Sequence, residues 1–509
     1  MSPISFVVDI AQGHAPVLVI IAVLIFAYMM PLFDIWKREW CSSLAITGIL
    51  LSLIFTGYLT WEVFTYGPVT YEMGNWAPPW GIEFLVDYLG VFMLITIGII
   101  SLLILVFGTK DLTHELKEKV QPYYYLLYLL LVGSMMGLAI TNDLFNMFVF
   151  MEIAAISACA IISIKEDREC VEASLKYLIL SAVGTGGVLM SIALLYMVTG
   201  HLNFDLVAVS LESALHVYPN NILVALALFS VGFVVKAALF PLHVWLPDAH
   251  SSAPSPSSAM LSGLVIKIYA VVYLKLLVRV FPAELFTIIP VFDLILILAS
   301  LSIIFGSVFA MVQKDIKRML AFSSIAQIGY VFLGIGLMTT MGLSGGLLHI
   351  FNHAFMKSML FLSAGAIIYS TGIRKIKDLE GIGLKMPLVM AMFTIGALAM
   401  VGIPVTNGFI SKFYLAIGTL EAGKPFYLAV ILASSLLNAV YYFPIIIRAF
   451  FGHHHDDHDD EEEGKEIQCK KLPLRMSMTL LVLGLGCIFF GLFPGVIMTV
   501  IEKAVFEIL

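Results

Sequence analysis

Long apolar runs divided by short polar connections set the pattern of this chain. A hydrocarbon core of ~30 Å takes about 20 helical residues to cross, and roughly fourteen runs reach that length. They fall near 15–35, 43–64, 84–107, 123–142, 143–164, 174–199, 221–245, 258–280, 287–311, 318–339, 342–370, 387–420, 425–450 and 474–501. Only Thr141, Asn142 and Asp143 divide the fourth from the fifth. Period-two alternation is absent, which argues against an outer-membrane barrel. The pattern predicts an all-α polytopic membrane protein.

Two spans are interrupted by residues that break helices. The seventh runs through Lys236 into Pro241, His243 and Pro247, and the twelfth holds Gly402, Pro404, Asn407 and Gly408 just before Lys412. A mid-membrane break is tolerated only where protein or cavity water satisfies the freed backbone groups. Two lysine-bearing broken spans, five spans apart, suggest an internal repeat. Five is odd, so the copies would have opposite orientation. The expected organisation is therefore three N-terminal spans (1–120), a first five-helix repeat (121–280), an inverted second repeat (281–450), a polar connection (451–473) and a last span (474–509).

Composition agrees with a bilayer. The chain is 60% hydrophobic and 12% charged, with a mean hydropathy of +0.99, far from soluble domains. Its five cysteines have neither paired nor metal-ligand spacing, and the first apolar run reads as a span rather than a cleavable signal. Basic residues test the span count independently. Connections after odd-numbered spans hold Lys37, Arg38, Lys110, Lys117, Lys119, Lys165, Arg168, Lys176, Lys314, Lys317 and Arg318, then Arg374 to Lys385 and Arg448 to Arg475; those after even-numbered spans hold only Arg279 and Lys424. That asymmetry puts the odd connections in the cytoplasm and both termini outside; the expected location is a prokaryotic plasma membrane.

Against this background the charges inside spans stand out. A charge at the bilayer centre costs about 2.5–3.5 kcal/mol on insertion scales, yet Lys236, Lys267, Lys357 and Lys412 all lie deep. Lys275 is near enough to its helix end to snorkel. Glu152, mid-span in the fifth run, is the natural acidic partner for one of these lysines. Such a pair is either a switch whose proton affinity follows its geometry or a static bridge that fixes helix register. His349, His353 and Lys357 recur every fourth residue and line one helix face over about 12 Å. Imidazole titrates near neutrality, so the stripe suits a proton relay; no carboxylate or cysteine on that span completes a metal site. Asp87, in the third span, has no assigned role. The run His453 to Glu463 could collect divalent cations, though acidic low-complexity stretches are more often simply solvated.

The run from Lys236 to His250, continued by Ala253 and Pro254, resembles the signature of the antiporter-like subunits of respiratory complex I, with relatives in Mrp-type cation/proton antiporters and membrane-bound hydrogenases. Phe150 to Glu152, Lys317 to Ser324, His349 to Lys357 and Gly408 to Lys412 support it in order, over roughly 80–450. The resemblance implies a fourteen-helix fold with two inverted five-helix repeats. It also implies a Glu152–Lys236 ion pair, Lys267 as central lysine, His349 and His353 as linking histidines, and Lys412 as the terminal proton-bearing residue. Lysine at 412 and the short C-terminal end make the chain look most like the D-type antiporter subunit or its homologues in hydrogenase or sulfane-reducing complexes. Gln327 departs from the histidine that complex I relatives often carry.

The expected function is proton translocation within a larger membrane complex, through half-channels joined by this axis and coupled to a redox module or to sodium/proton antiport. Other membrane subunits, protons and lipid are the expected partners, with sodium left open. No cofactor and no nucleic-acid partner are expected, since the chain has no CxxC pair, haem-ligand pair or phosphate-binding glycine loop. A self-sufficient cation/proton exchanger is the alternative, and a structural scaffold whose buried pairs only fix packing is a third reading.

Overall fold

The computed structural model describes residues 13–451 and 469–509, so the histidine-rich run His453 to Glu463 lies outside the described residues. Among the described residues, twelve helical stretches are long and apolar enough to cross a membrane. The first, Ala15–Tyr66, is 52 residues long and consists of α1 (Ala15–Lys37) and α2 (Cys41–Tyr66), which pack on each other across a 3-10 turn at Arg38–Trp40. A two-stranded hairpin, Val69–Glu72 with Glu83–Val86, follows. Next come α3 (Tyr88–Glu115), α4 (Gln121–Ile140), α5 (Leu144–Ser163) and α6 (Arg168–Thr199). Aspartates cap three of these turns: Asp87, Asp143 and Asp167 accept from the backbone N–H of Gly90, Asn146 and Cys170.

After the short amphipathic α7 (Phe204–Val217), α8 (Pro219–Lys236) stops at Lys236, and α9 (Trp245–Ser252) begins only after an irregular stretch. Pro241 denies the helix an N–H group, and Ala238 adopts φ +55°. The Trp245 indole N–H donates to the Val235 carbonyl at 3.0 Å, so the break is stitched shut by a side chain. A second interruption divides α14 (Pro387–Val401) from α15 (Asn407–Glu421), with Gly402 at φ +90° and Val405 at φ +79°. Both breaks fall where the prolines and glycines of the sequence place them.

Between them run α10 (Ser255–Arg279), α11 (Val291–Met311), α12 (Ile316–Leu337) and α13 (Thr340–Thr371), and after them α16 (Phe426–Phe451), α17 (Leu474–Leu492) and α18 (Gly495–Ile508). In the 18-residue apolar stretches of α10 and α12, 94% of the residues are buried, against 39% in those of α6, α16 and α17. The centre is therefore α10, α12 and α13. The peripheral helices turn residues such as Ile35, Val183, Met197, Leu436 and Phe489 outward, as lipid-facing surfaces do. Small residues let the central helices approach: a Cβ on Gly306 would lie 2.6 Å from the Ala326 backbone nitrogen, and one on Gly334 2.6 Å from the Gly346 Cα.

Candidate functional site

Every intramembrane lysine expected from the sequence is buried, and the structure brings most of them onto the central helices. Lys267 lies on α10 two residues past a π-helical turn, Leu261–Val265. That turn widens the helix, and its Ser262 carbonyl accepts a hydrogen bond from the Lys267 ammonium. The Ser262 hydroxyl meets that of Ser324 on α12 at 2.6 Å. Lys357, on α13, donates to the Leu320 carbonyl at 2.7 Å and to the Ser323 hydroxyl, which in turn contacts the Tyr442 hydroxyl at 2.9 Å.

Lys412 uses the second helix break. Its ammonium donates to the carbonyls of Met400 at 2.7 Å and Val401 at 3.2 Å, and to the Ser435 hydroxyl at 3.3 Å. Those carbonyls end α14, where the helix dipole is negative, so the break offers a cation a seat without a carboxylate. The Tyr330 ring lies 5.0 Å from the same ammonium.

His349 and His353 stack with ring centroids 5.7 Å apart and planes at 14°. The Gln327 carbonyl oxygen is 3.0 Å from His349 Nε2 and the Ser411 hydroxyl 2.9 Å from Nδ1, an arrangement that favours the tautomer with its proton on Nε2. Ser411 precedes Lys412 in sequence, so His349 is linked through one hydroxyl to the turn that carries that lysine. His353 is buried, and among the described residues neither of its ring nitrogens has a partner. Lys267 and Lys412 both act on it electrostatically. Reciprocal bonds between Asn352 and Asn407, 2.8 and 3.3 Å, clamp α13 to the start of α15.

Glu152 and Lys236 are less tightly joined. The Lys236 ammonium donates to the Ser181 hydroxyl at 2.5 Å and lies 5.7 Å from the Tyr269 ring. Glu152 acts on it only at a distance, and its buried Oε1 has no hydrogen-bond partner among the described residues. The two residues share a neighbourhood without an ion-pair contact.

Three placements differ from, or add to, the sequence expectations. Lys275 does not reach solvent: it donates to the Ala139 carbonyl at 2.5 Å and lies 3.8 Å from Asp87. Asp87 thereby gains a role, pairing also with Arg279 at 3.5 Å. His250 belongs to the signature run, and the sequence gives it no role of its own. It is fully buried, stacks on Phe361 at 5.1 Å, has no described partner at either ring nitrogen, and feels Lys317, Lys357 and Lys267. Tyr269, two residues beyond Lys267, has a buried, unpartnered hydroxyl, and its ring lies 5.7 Å from the Lys236 ammonium. The His250 signal is there to be read, since histidine beside a helix break inside an apolar span is unusual; a tyrosine among apolar residues gives no comparable mark.

The family described as NADH:quinone oxidoreductase/Mrp antiporter, transmembrane, matches residues 141–438. The chain belongs to this family. It is 35% identical over 498 residues to NADH-quinone oxidoreductase subunit N of Desulforudis audaxviator, covering 97% of this chain and 98% of that one. It is 33% identical over 398 residues to the D-type subunit of the Na(+)/H(+) antiporter of Alkalihalophilus pseudofirmus, covering 78% of each. Among solved structures, a chain of the membrane-bound sulfane sulfur reductase, an archaeal respiratory membrane complex, superposes with a TM-score of 0.88 at 32% identity over 97% of both chains. The Mrp complex from Dietzia sp. DQ12-45-1b shares the fold, with a TM-score of 0.86 at 23% identity over 98% of this chain and 97% of that one.

As a member of this NADH:quinone oxidoreductase/Mrp family the chain is a multi-pass membrane protein. The matched stretch contains Glu152, Lys236, Lys267, His349, His353 and Lys412, and it spans both helix breaks.

Proposed function

We propose that this chain is a proton-translocating subunit of a multisubunit membrane complex, resident in a prokaryotic plasma membrane with both termini outside. One observation carries the reading. Lys267, Lys357 and Lys412 are buried, and their ammonium groups are held by carbonyls and hydroxyls, with no carboxylate of the described residues in ion-pair range. A structural role would call for a paired charge, because an isolated buried ion is expensive. Lysines solvated by neutral dipoles can gain and lose a proton without breaking a salt bridge, which is what a carrier needs.

In this reading Lys236 and Lys267 load from the half of the chain built on α4 to α10, and Glu152 biases Lys236. His353 and His349 carry the proton along α13, and Lys412 is the terminal site in the half built on α11 to α16. The two halves act as inverted five-span repeats within a fourteen-span fold, supported by their matching breaks and lysines. Gln327 fixes the His349 tautomer instead of titrating. The driving free energy comes from partner subunits, either a redox module or a second cation flux, as the complexes of the relatives suggest.

Purified native complex in proteoliposomes with an internal pH dye tests this. Lys412→Ala should assemble and lose proton movement; unimpaired movement in both Lys412→Ala and Lys267→Ala would rule the reading out. Translocation by the chain reconstituted alone would instead favour the self-sufficient exchanger.

A further inference from the structure

The basic connections converge at one end of the molecule, and a second titratable cluster lies buried beneath them. Asp111 and Glu115 occupy successive turns at the end of α3, so both carboxyls lie on one helix face. Glu115 is fully engaged. Its Oε1 accepts from the Ser255 N–H at 3.2 Å and the Ser255 hydroxyl at 2.9 Å, and Oε2 pairs with Lys165. It thereby caps α10, whose first N–H groups have no partners within the helix.

Asp111 is the anomaly. It is 1% exposed, yet among the described residues no donor reaches either of its oxygens. Glu115, Lys317 and Lys165 are the charged groups that act on it. Lys317 is itself buried and spends its ammonium on the Ala253 carbonyl at 2.5 Å. An ionised carboxyl without donors is costly in a dry interior, and two adjacent carboxyls cannot both ionise cheaply. A pure capping device would need Glu115 alone.

Inward of this pair lie His250 and the polar start of α10. Lys317 also acts on His250, as do Lys357 and Lys267. The polar helix start between them carries Ser257, bonded to the Tyr124 hydroxyl at 3.1 Å, and Ser258, bonded to the His250 carbonyl at 2.8 Å. Outward, Lys165 is partly exposed and joins Glu115 to the surface.

We propose that Asp111 and Glu115 form the proton-collecting site at the basic end of the chain, delivering protons past Lys317 to His250 and so to Lys267 and Lys357. A hydronium ion of the aqueous phase gives its proton to the carboxylate pair and leaves water; Asp111 holds the proton as a carboxylic acid; transfer to the His250 imidazole leaves an imidazolium and regenerates the carboxylate. The site rests on the translocation reading above and extends it to an uptake point.

The test uses the intact complex in proteoliposomes, comparing Asp111→Asn, Asp111→Glu, Glu115→Gln and Lys412→Ala. Asp111→Asn, which keeps shape and removes the titrating group, should slow proton movement about a hundredfold. Asp111→Glu should restore much of it, and an infrared carboxylic-acid band present in the wild type should vanish in Asp111→Asn. Wild-type rates in Asp111→Asn with Lys412→Ala inactive would overturn the uptake site and leave translocation standing. Wild-type rates in Lys412→Ala as well would overturn translocation itself. Failure of both Asp111→Asn and Glu115→Gln to assemble would make the pair structural and overturn the proposal too.

Discussion

Lys357 and Ser323 illustrate how little separates a carrier from a packing residue. The ammonium is held by one hydroxyl and one carbonyl, so Ser323→Ala should keep the fold and slow proton movement; an unchanged rate in the proteoliposome assay would remove Lys357 from the path. The bond between His349 and Gln327 makes a separate prediction. Gln327→Leu leaves Nε2 without an acceptor, a cost of about 1–3 kcal/mol for a buried donor, and should lower the melting temperature of the purified complex. Gln327→His, which can accept at the same point, should recover it. Identical melting of the leucine variant and the wild type would refute the Nε2-protonated tautomer. The sequence marks Lys236, Lys267, His349, His353 and Lys412 because charged or titratable groups are rare in apolar spans. It does not mark Asp111 as a site residue, since what distinguishes that carboxyl is a missing partner, and partners come from other helices.

At the scale of elements, both interruptions are legible because proline and glycine act through local geometry. What the breaks do is not legible: α14 ends in carbonyls that seat Lys412, whereas α8 ends at Lys236, which turns to Ser181 on α6. The π-helical turn before Lys267 has no proline and leaves no trace in the pattern. The interface of α11 and α12 gives an element-level prediction. Gly306→Val would push a side chain against the Ala326 backbone, and overpacking of this kind costs about 1–3 kcal/mol. The expected outcome is a variant with reduced yield and earlier thermal unfolding, and normal yield and melting would show that the helices can separate there at little cost.

For the whole molecule, the arrangement of connections has a direct check. Lys470 and Ser370 exchange hydrogen bonds of 3.1 and 2.7 Å, which puts the exposed Cys469 at the same end as Arg374, Asp315 and Lys317. If that basic end faces the cytoplasm, a membrane-impermeant maleimide should label Cys469 in inside-out vesicles and spare it in right-side-out ones. The reverse pattern would invert the proposed topology. At the opposite end Arg279 joins Asp87 and Asp205, and Lys424 joins Asp293, so these two basic residues are each matched by a carboxylate.

Hydropathy, proline and glycine, and the distribution of lysine and arginine determined that this chain is a helical membrane protein, where its helices break and which titratable groups lie at depth. Those properties are local or depend on one residue's transfer from water to lipid, so one strand of sequence suffices. Tertiary structure decided which buried charges have partners. It left Glu152 and Lys236 unbonded to each other, gave Lys412 a helix end in place of a carboxylate, set the His349 ring between Gln327 and Ser411, and buried Asp111 beside Glu115 out of reach of any described donor. Hydrogen bonds act over about 3 Å, and only the packing of distant segments determines which atoms come that close.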